Sequence, residues 1–194
     1  SLVGSEMCIR DRKMMDQQQQ LIDWISHDKN FTEIFNILDR YHLTEATLCA
    51  GSIRELVWNK LENKPSSILR NNLDIYYNDP GESYEHYLTI QSTLNQRHSK
   101  YLWDLRNIRL KKRHSDKSPD GSTIEAAIAN FPEKCSAVGV SRELGGSYSI
   151  IAPYGLDDLF TETITTTGAI DELAFKRRIE RKKWLTNFQN SKLG

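Results

Sequence analysis

The stretch Thr47-Leu48-Cys49-Ala50-Gly51-Ser52-Ile53-Arg54 places a short, apolar, β-prone segment directly before a glycine and a small hydroxyl residue. The apolar residues that follow it recur at the three- and four-residue steps of a helix, namely Ile53, Leu56, Val57 and Leu61. The stretch therefore predicts a strand, a tight glycine turn and a helix that ends at Lys64-Pro65.

A Gly-Ser turn in this position has two interpretations. Gly51 and Ser52 allow a phosphate to approach the backbone closely, and the N–H groups of the helix N-terminus that follows favour an anion. The same turn is also typical of a plain strand-to-helix connection without a ligand. Both interpretations remain open on the turn alone.

Residues 73–78 form the next predicted strand, bounded by Asn71-Asn72 and Asp79-Pro80-Gly81. Asn72 and Asp74 are two residues apart, so on a strand their side chains share one face. A divalent metal site takes two carboxylates in this geometry, although one of the two side chains here is an amide. The alternative is that Asp74 only occupies the polar face of a half-buried strand.

The rest of the chain predicts helices alternating with strands. The predicted elements are two helices between Gln17 and Tyr41, a helix over 84–94, a strand over 101–106, a basic loop over 106–120, a helix that a Ser122/Glu125 capping box opens and Pro132 stops, a hairpin of 137–140 with 148–152, and a charged helix over 171–188. Together they predict an α/β (α+β) fold, with a mixed sheet flanked by helices and preceded by an N-terminal helical segment.

Length and composition exclude several classes of protein. The 194 residues, 38% of them apolar, suit a single domain with one core. No run approaches the roughly 18 apolar residues of a membrane span. The formal net charge is +0, which argues against a histone-like binder of nucleic acid. The three cysteines include no CxxC pair, so neither a disulfide framework nor a zinc knuckle is supported. We expect a cytoplasmic protein.

The first residues need separate treatment. Ser1 to Arg12 resembles a translated sequencing adapter and lacks the apolar core of a signal peptide. We therefore expect residues 1–13 to be a non-native tail and residues 14–194 to be one domain.

Five segments occur in an order that resembles a known family: LCAGSIRELVWN (48–59), NNLDIYYNDP (71–80), FPEKCSAVGV (131–140), IAPYGLDDLF (151–160) and FKRRIERKKW (175–184). The chain resembles the minimal nucleotidyltransferase domain of the polymerase-β-type superfamily, and in particular a bacterial family of uncharacterised nucleotidyltransferases. The resemblance extends from about Leu48 to Trp184.

The resemblance implies that Gly51 and Ser52 hold the phosphates of a nucleotide. It also implies an acid–x–acid pair that binds Mg²⁺ together with a third acid from a later strand. Asp74 matches the second acid, whereas Asn72 and Ser149 occupy the first and third positions of our alignment. Two anionic ligands are thereby lost, which weakens the attraction for Mg²⁺. Neighbouring acids that can replace them are Asp79, Asp157 and Asp158.

Two basic segments add candidate phosphate ligands. Residues 97–117 contain eight Lys or Arg against two Asp, and residues 171–194 contain seven against three acids, with six of the seven between 176 and 183. Nucleic acid is a candidate partner for both segments, and Arg54 and Arg109 are the single candidates for nucleotide binding. The alternative is that these runs are solvated surfaces.

These patterns support three hypotheses. The first is a nucleotidyltransferase that moves a nucleoside monophosphate from an NTP to an unknown acceptor with Mg²⁺, with Asp74 as catalytic residue and metal ligand. The second is a module of the same fold that binds nucleotide or polyanion without turnover. The third is an interaction protein, for which the sequence offers no positive sign.

Overall fold

The computed structural model describes residues 2–110 and 123–194. The helices are α1 (Leu2–Ser26), α2 (Lys29–Arg40), α3 (Gly51–Leu61), α4 (Tyr84–Arg97), α5 (Ile124–Ala129), α6 (Asp157–Phe160), α7 (Glu172–Lys182) and α8 (Trp184–Asn187). The strands are β1 (Thr47–Cys49), β2 (Asn72–Tyr77), β3 (Leu102–Asn107), β4 (Gly139–Arg142), β5 (Tyr148–Ile151), β6 (Thr163–Ile164) and β7 (Lys192–Leu193). The predicted loop residues 111–120 and the predicted cap Ser122 lie outside the described residues.

Five strands form one mixed sheet in the order β3-β2-β1-β4-β5. Strands β2 and β3 are parallel, and the other neighbouring pairs are antiparallel. The parallel pair needs a crossover, which α4 supplies between β2 and β3. The predicted mixed sheet with flanking helices is confirmed.

The two faces of the sheet are covered unequally. On one face, Leu73, Ile75 and Tyr77 of β2 are fully buried in the main core, together with residues of α1 to α4. On the other face, the short helix α5 packs over a smaller cluster that includes Cys49. A Cβ atom at Gly139 would lie 2.6 Å from Ile128 Cδ1, so the close approach of α5 requires glycine there. Of the described residues on this second face, those at the start of β2 and in the middle of β3, Asn72 and Asp104, are exposed, so we call it the open face.

The outer edge of β3 is covered by side chains of α4. Gln91 accepts a hydrogen bond from the Leu105 N–H at 2.8 Å and donates one to the Trp103 carbonyl at 2.8 Å. The Tyr87 hydroxyl donates to the Leu105 carbonyl at 2.8 Å. These bonds satisfy backbone groups that an edge strand otherwise presents to solvent.

Two predicted helices have different limits in the structure. The closing helix breaks at Lys183, whose φ of 54° is left-handed, and this break lets Trp184 turn back into the core. The side chain that caps α5 belongs to Thr123, which accepts a hydrogen bond from the Ala126 N–H, one residue later than predicted.

Within the described ranges, none of the helices combines the length and the apolar character needed to cross a bilayer.

Candidate active site

Two carboxylates lie next to each other on the open face of the sheet. Strands β2 and β3 run in parallel register, and Asp74 is the direct partner of Asp104. Neighbouring strands are about 4.8 Å apart, and partner side chains point to the same face. Asn72 shares that face, because Leu73, between Asn72 and Asp74, is fully buried on the other side. Asn72, Asp74 and Asp104 therefore form a cluster of oxygen-bearing side chains.

The surroundings of Asp74 in this cluster disfavour its negative charge. Burial and the neighbouring Asp104 carboxylate raise the pKa of Asp74 to about 6, because both disfavour its ionised form. Three cations act in the opposite direction on the same carboxylate: Arg54, Lys182 and Arg178. Asp74 thus lies within the electrostatic reach of three positive charges.

The Gly-Ser turn lies beside this cluster. The hydroxyl of Ser52 donates to the Asn72 carbonyl at 3.3 Å, which joins the start of α3 to the start of β2. In the first turn of α3, the N–H groups of Ile53 and Arg54 donate to the Ala50 carbonyl. By helix geometry, those of Gly51 and Ser52 are directed out of the N-terminus, where an anion is favoured.

The residue before the turn has an unusual backbone. Ala50 has φ 60° and ψ −122°, a left-handed conformation that residues with a side chain rarely adopt. Such strain persists only where the surroundings fix it, and it is concentrated at functional sites. The buried Ala50 N–H donates to the Val138 carbonyl at 3.1 Å, which fixes the turn to the chain just before β4.

Arg54 is a buried cation directly behind the turn. Its side chain is 6% exposed, and its Nη1 donates to the Ser136 hydroxyl at 2.6 Å. Its guanidinium lies 4.3 Å from the centre of the Trp184 ring, and its Nη2 lies 3.7 Å from the position of a Cβ at Gly51. Its Nε has no hydrogen-bond partner among the residues that the structure describes. Arg54 therefore adds positive charge to the N-terminus of α3 from within the core.

Ser149 is not brought to Asp74. It lies on β5, and β1 and β4 separate that strand from β2. Three strand spacings amount to roughly 14 Å. Its hydroxyl donates instead to Glu143 at 3.2 Å. The acid that the structure places beside Asp74 is Asp104.

Arg109 lies at the other end of the sheet. It follows β3, and its Nε donates to the Asn78 side chain at 2.7 Å, beyond the end of β2. The candidate Asp79 lies at the same end and accepts the Gly81 N–H at 3.0 Å. Since Tyr77 is three residues beyond Asp74, these groups are separated from Asp74 by at least about 10 Å along the strand.

The remaining candidates from the sequence, Asp157, Asp158 and the two basic segments, lie in different parts of the structure. Asp157 starts α6 and pairs with Lys13 of α1 at 3.2 Å, and Asp158 follows it. In the basic segment 97–117, Lys100 pairs with Glu33 at 2.9 Å, and residues 111–117 lie outside the described part of the chain. Residues 176–182 fall on α7, and among them are Arg178 and Lys182, whose charges act on Asp74.

The donor set suits a hard cation. Within residues 2–110 and 123–194, no group of three or more His, Cys, Asp or Glu side chains is arranged to hold a metal ion. Mg²⁺, however, usually binds through one or two carboxylates together with substrate phosphates. Asp74 and Asp104 supply two carboxylates, Asn72 supplies an amide oxygen, and the repulsion that raises the pKa of Asp74 would be relieved by a cation. The residues present therefore fit Mg²⁺.

A carboxylate pair beside a helix N-terminus can hold a metal ion next to the phosphates of a ligand. The comparisons with known proteins give the family of the chain. A family model described as nucleotidyltransferase matches residues 36–193, which include the turn and both carboxylates. The chain belongs to this nucleotidyltransferase family. A search of curated proteins finds no match to the chain.

Solved structures share the fold. An NMR structure described as revealing a CCA-adding enzyme head domain has a TM-score of 0.79 at 25% identity, over 91% of this chain and 95% of that chain. A CCA-adding enzyme with CTP has a TM-score of 0.58 at 15% identity, over 91% of this chain and 43% of that chain. A tRNA nucleotidyltransferase with a primer tRNA and an ATP analogue has a TM-score of 0.50 at 17% identity, over 83% of this chain and 46% of that chain. The chain thus spans less than half the length of the last two proteins.

Proposed function

We propose that the chain transfers a nucleoside monophosphate from an NTP to an acceptor, at a site formed by Gly51, Ser52, Asp74 and Asp104. The observation that carries the proposal is the register of β2 and β3, which pairs the two aspartates beside the N-terminus of α3. Membership of the nucleotidyltransferase family supports the reaction class. Solved relatives in complex with CTP and with an ATP analogue support an NTP as donor.

The turn binds the phosphates in this proposal. The N–H groups of Gly51 and Ser52 point out of the helix, and the absence of a side chain at Gly51 lets a phosphate reach them. The buried Arg54 charge behind Gly51 strengthens the attraction. These groups are fixed before the ligand arrives, so little reorganisation opposes binding.

The carboxylates hold the metal in this proposal. Asp74 and Asp104 would bind Mg²⁺, with Asn72 as a neutral oxygen donor next to them. When bound, Mg²⁺ neutralises phosphate charge and lowers the pKa of an attacking hydroxyl. Asp74 is half-buried and Asp104 is exposed, so a metal held by both would lie at the surface of the sheet, where the phosphates of a nucleotide could reach it.

The acceptor reaches the site along the open face in this proposal. The basic segment 176–183 contributes Arg178 and Lys182, whose charges act on Asp74, and segment 97–117 contributes Arg106, which shares the face of Asp104 on β3. Positive charge there favours an acceptor that carries phosphates, and a solved relative holds a primer tRNA. RNA is therefore the first acceptor class to screen, before proteins and small molecules.

Asn72 favours a second candidate function. In the family pattern that the chain resembles, an acid occupies this position, and the amide contributes no charge to metal binding. A site with one carboxylate fewer can retain nucleotide binding after losing turnover. The second candidate is therefore a nucleotide-binding or polyanion-binding module without catalysis.

Calorimetric titration of the full chain with ATP, GTP, CTP and UTP, with and without Mg²⁺, tests the proposal. We expect binding that requires Mg²⁺ and is lost in Asp74→Ala. Transfer of label from an α-phosphate-labelled NTP to RNA, protein or small-molecule fractions then separates enzyme from module. Binding without Mg²⁺ and without label transfer supports the module. The absence of binding to every nucleotide refutes the transferase and the nucleotide-binding form of the module.

A further inference from the structure

The C-terminal segment 187–194 is held by three charged residues that take no part in the site described above, Glu62, Lys64 and Glu162. The hydrogen bonds run from Lys64 Nζ to the Asn187 carbonyl at 2.9 Å, from the Gln189 N–H to Glu62 Oε1 at 3.2 Å, and from the Lys192 N–H to the Glu162 carbonyl at 3.0 Å. Glu62 and Lys64 follow α3, and Glu162 lies between α6 and β6. We call these three residues the clasp, because they join the segment to two distant parts of the chain.

Both carboxyl groups of the clasp are buried. Glu162 is 3% exposed, and the side chain of Glu62 is 0% exposed. The Nζ of Lys64 lies 2.7 Å from Glu62 Oε1 and neutralises one of the two negative charges. The oxygens Glu62 Oε2 and Glu162 Oε1 are buried without a hydrogen-bond partner in the described part of the chain. Because buried carboxylate oxygens without a donor are costly, these two oxygens require a proton or a cation between them.

A proton suits this position better than a metal ion. The side chains of Glu62 and Glu162 lie within hydrogen-bonding reach of each other, so a proton on Glu162 would supply the missing donor. Burial and the Glu62 carboxyl raise the pKa of Glu162 to about 7. Burial also acts to raise the pKa of Glu62, but hydrogen bonds from Lys64, Glu162 and the Gln189 N–H lower it. A divalent ion requires more oxygen ligands than this pair offers and would be repelled by the Lys64 ammonium.

The charged groups that act on Glu162 come from the elements packed around it, and they are Glu62, Lys64 and Lys192. The neighbouring β6 and α8 carry no titratable side chain. The Asp157 carboxylate of α6 pairs with Lys13. Loss of the proton from Glu162 therefore removes the donor between the two carboxyls and adds a second buried negative charge, so the clasp is weakened.

We propose that the clasp is a pH switch, in which one proton shared by Glu62 and Glu162 holds the segment 187–194 in place and loss of that proton releases it. This inference goes beyond the proposed function and does not depend on it. Because the pKa of Glu162 is raised from its ordinary 4.5, the hold is complete below about pH 4.5 and is lost as the pH rises through 7. Release uncovers the buried ring of Phe188, which packs edge-on against Trp58 with the ring centres 5.1 Å apart. A rise in pH would therefore expose apolar surface at the end of α3.

Hydrogen–deuterium exchange of the full chain at pH 5 and pH 8, followed by mass spectrometry, tests the proposal. After correction for the intrinsic effect of pH on exchange, the protection of segment 187–194 in the wild type should fall about 30-fold between the two pH values. Glu162→Gln replaces the shared proton by a permanent amide donor, so its protection should change less than threefold. The matched control is Glu85→Gln, which changes an exposed acid on α4 and should keep the fall seen in the wild type.

A ¹³C NMR titration of the glutamate carboxyl groups gives a second readout that needs no variant. In the wild type, the Glu162 carboxyl should titrate near pH 7. A midpoint near the ordinary 4.5, equal protection of the segment at the two pH values, or a fall in Glu162→Gln as large as in the wild type would overturn the inference. Protection that Ca²⁺ restores at pH 8 would also overturn it, because the two carboxyls would then hold a metal ion rather than a proton.

Discussion

In the described part of the chain, the pair Asp74 and Asp104 and the pair Glu62 and Glu162 each bring two carboxyl groups side by side, and their surroundings differ. Asp74 and Asp104 lie on one face of the sheet, and the charges of Arg54, Lys182 and Arg178 act on Asp74. Glu162, by contrast, is 3% exposed and meets Glu62 beneath the C-terminal segment.

The buried pair is enclosed by the protein, and Glu62 Oε2 and Glu162 Oε1 have no hydrogen-bond partner among the described residues. The Nζ of Lys64 lies 2.7 Å from Glu62 Oε1, which also accepts the Gln189 N–H at 3.2 Å. Burial and the Glu62 carboxyl raise the pKa of Glu162 to about 7, so the two side chains share a proton over much of the pH range. A pair of acids therefore indicates a site only where it is open to a ligand. Asp104 of the first pair is exposed and meets this condition, whereas the buried pair joins the C-terminal segment through the Gln189 N–H.

The largest difference between changes in the two pairs is expected in the Mg²⁺-dependent affinity for a nucleotide. Asp104→Ala should weaken Mg²⁺-dependent nucleotide binding by at least the roughly 10–100-fold that changes next to metal ligands cost. Glu162→Gln, which changes the buried pair, should leave this affinity unchanged. Calorimetric titration with Mg²⁺ and an NTP measures both. Equal affinities of Asp104→Ala and the wild type would remove Asp104 from the site.

The buried pair should instead determine how stability varies with pH. The folded pKa of Glu162 is raised from its ordinary 4.5 to about 7, so its stabilisation is complete below about pH 4.5 and is lost as pH rises to 7. Between pH 5 and pH 8 the wild type should lose about 2 kcal/mol more unfolding free energy than Glu162→Gln. Urea unfolding at both pH values measures this difference. Parallel pH profiles of the two proteins would show that the pair shares no proton.

A third carboxylate at position 72 should lower the stability of the metal-free protein and raise its affinity for Mg²⁺ and nucleotide. Asn72→Asp adds a negative charge two residues from Asp74 on the same face. Without metal, like-charge repulsion should lower the unfolding free energy by about 0.5 kcal/mol at pH 8. With Mg²⁺ and nucleotide, the affinity should rise, because Mg²⁺ prefers carboxylate oxygens. Thermal unfolding with and without Mg²⁺ tests both signs, and stabilisation of the metal-free variant would contradict this account.

The smallest effect is expected at Ser149. Ser149 lies on the edge strand β5, three strands away from β2, and its hydroxyl donates a hydrogen bond to Glu143. Ser149→Ala should therefore change Mg²⁺-dependent nucleotide affinity by less than twofold, in the same titration used for Asp104→Ala. A loss of affinity as large as that of Asp104→Ala would instead support Ser149 as a metal ligand, the role that the family resemblance implies for its position.

The strand, turn and helix around Gly51 could be predicted because the signal is local. Apolar periodicity and a Gly-Ser pair determine each element within a dozen residues, and the structure begins α3 at Gly51. The shared face of Asn72 and Asp74 also follows from local geometry, since strand side chains alternate.

Asp104 was missed because its role depends on pairing between distant strands. The sequence shows Asp104 on a strand with alternating polarity, but only the parallel register with β2 places it beside Asp74. A signal was present: a helix between two predicted strands favours a parallel crossover, which brings the two strands together. The break at Lys183 was missed for a related reason, because the packing of Trp184 overrides the helical pattern there.

The hydrogen bonds of α4 to the outer edge of β3 have a consequence for how the chain behaves in a crowded solution. β3 carries Asp104 and an exposed Leu102 on an edge of the sheet, where a second chain could otherwise add a strand and begin to aggregate. Gln91 and Tyr87 occupy the backbone groups that such a strand would need. The Asp104 side chain on the face of β3 is therefore accessible to small solutes, whereas the backbone edge of β3 is closed to the addition of a strand from a second chain.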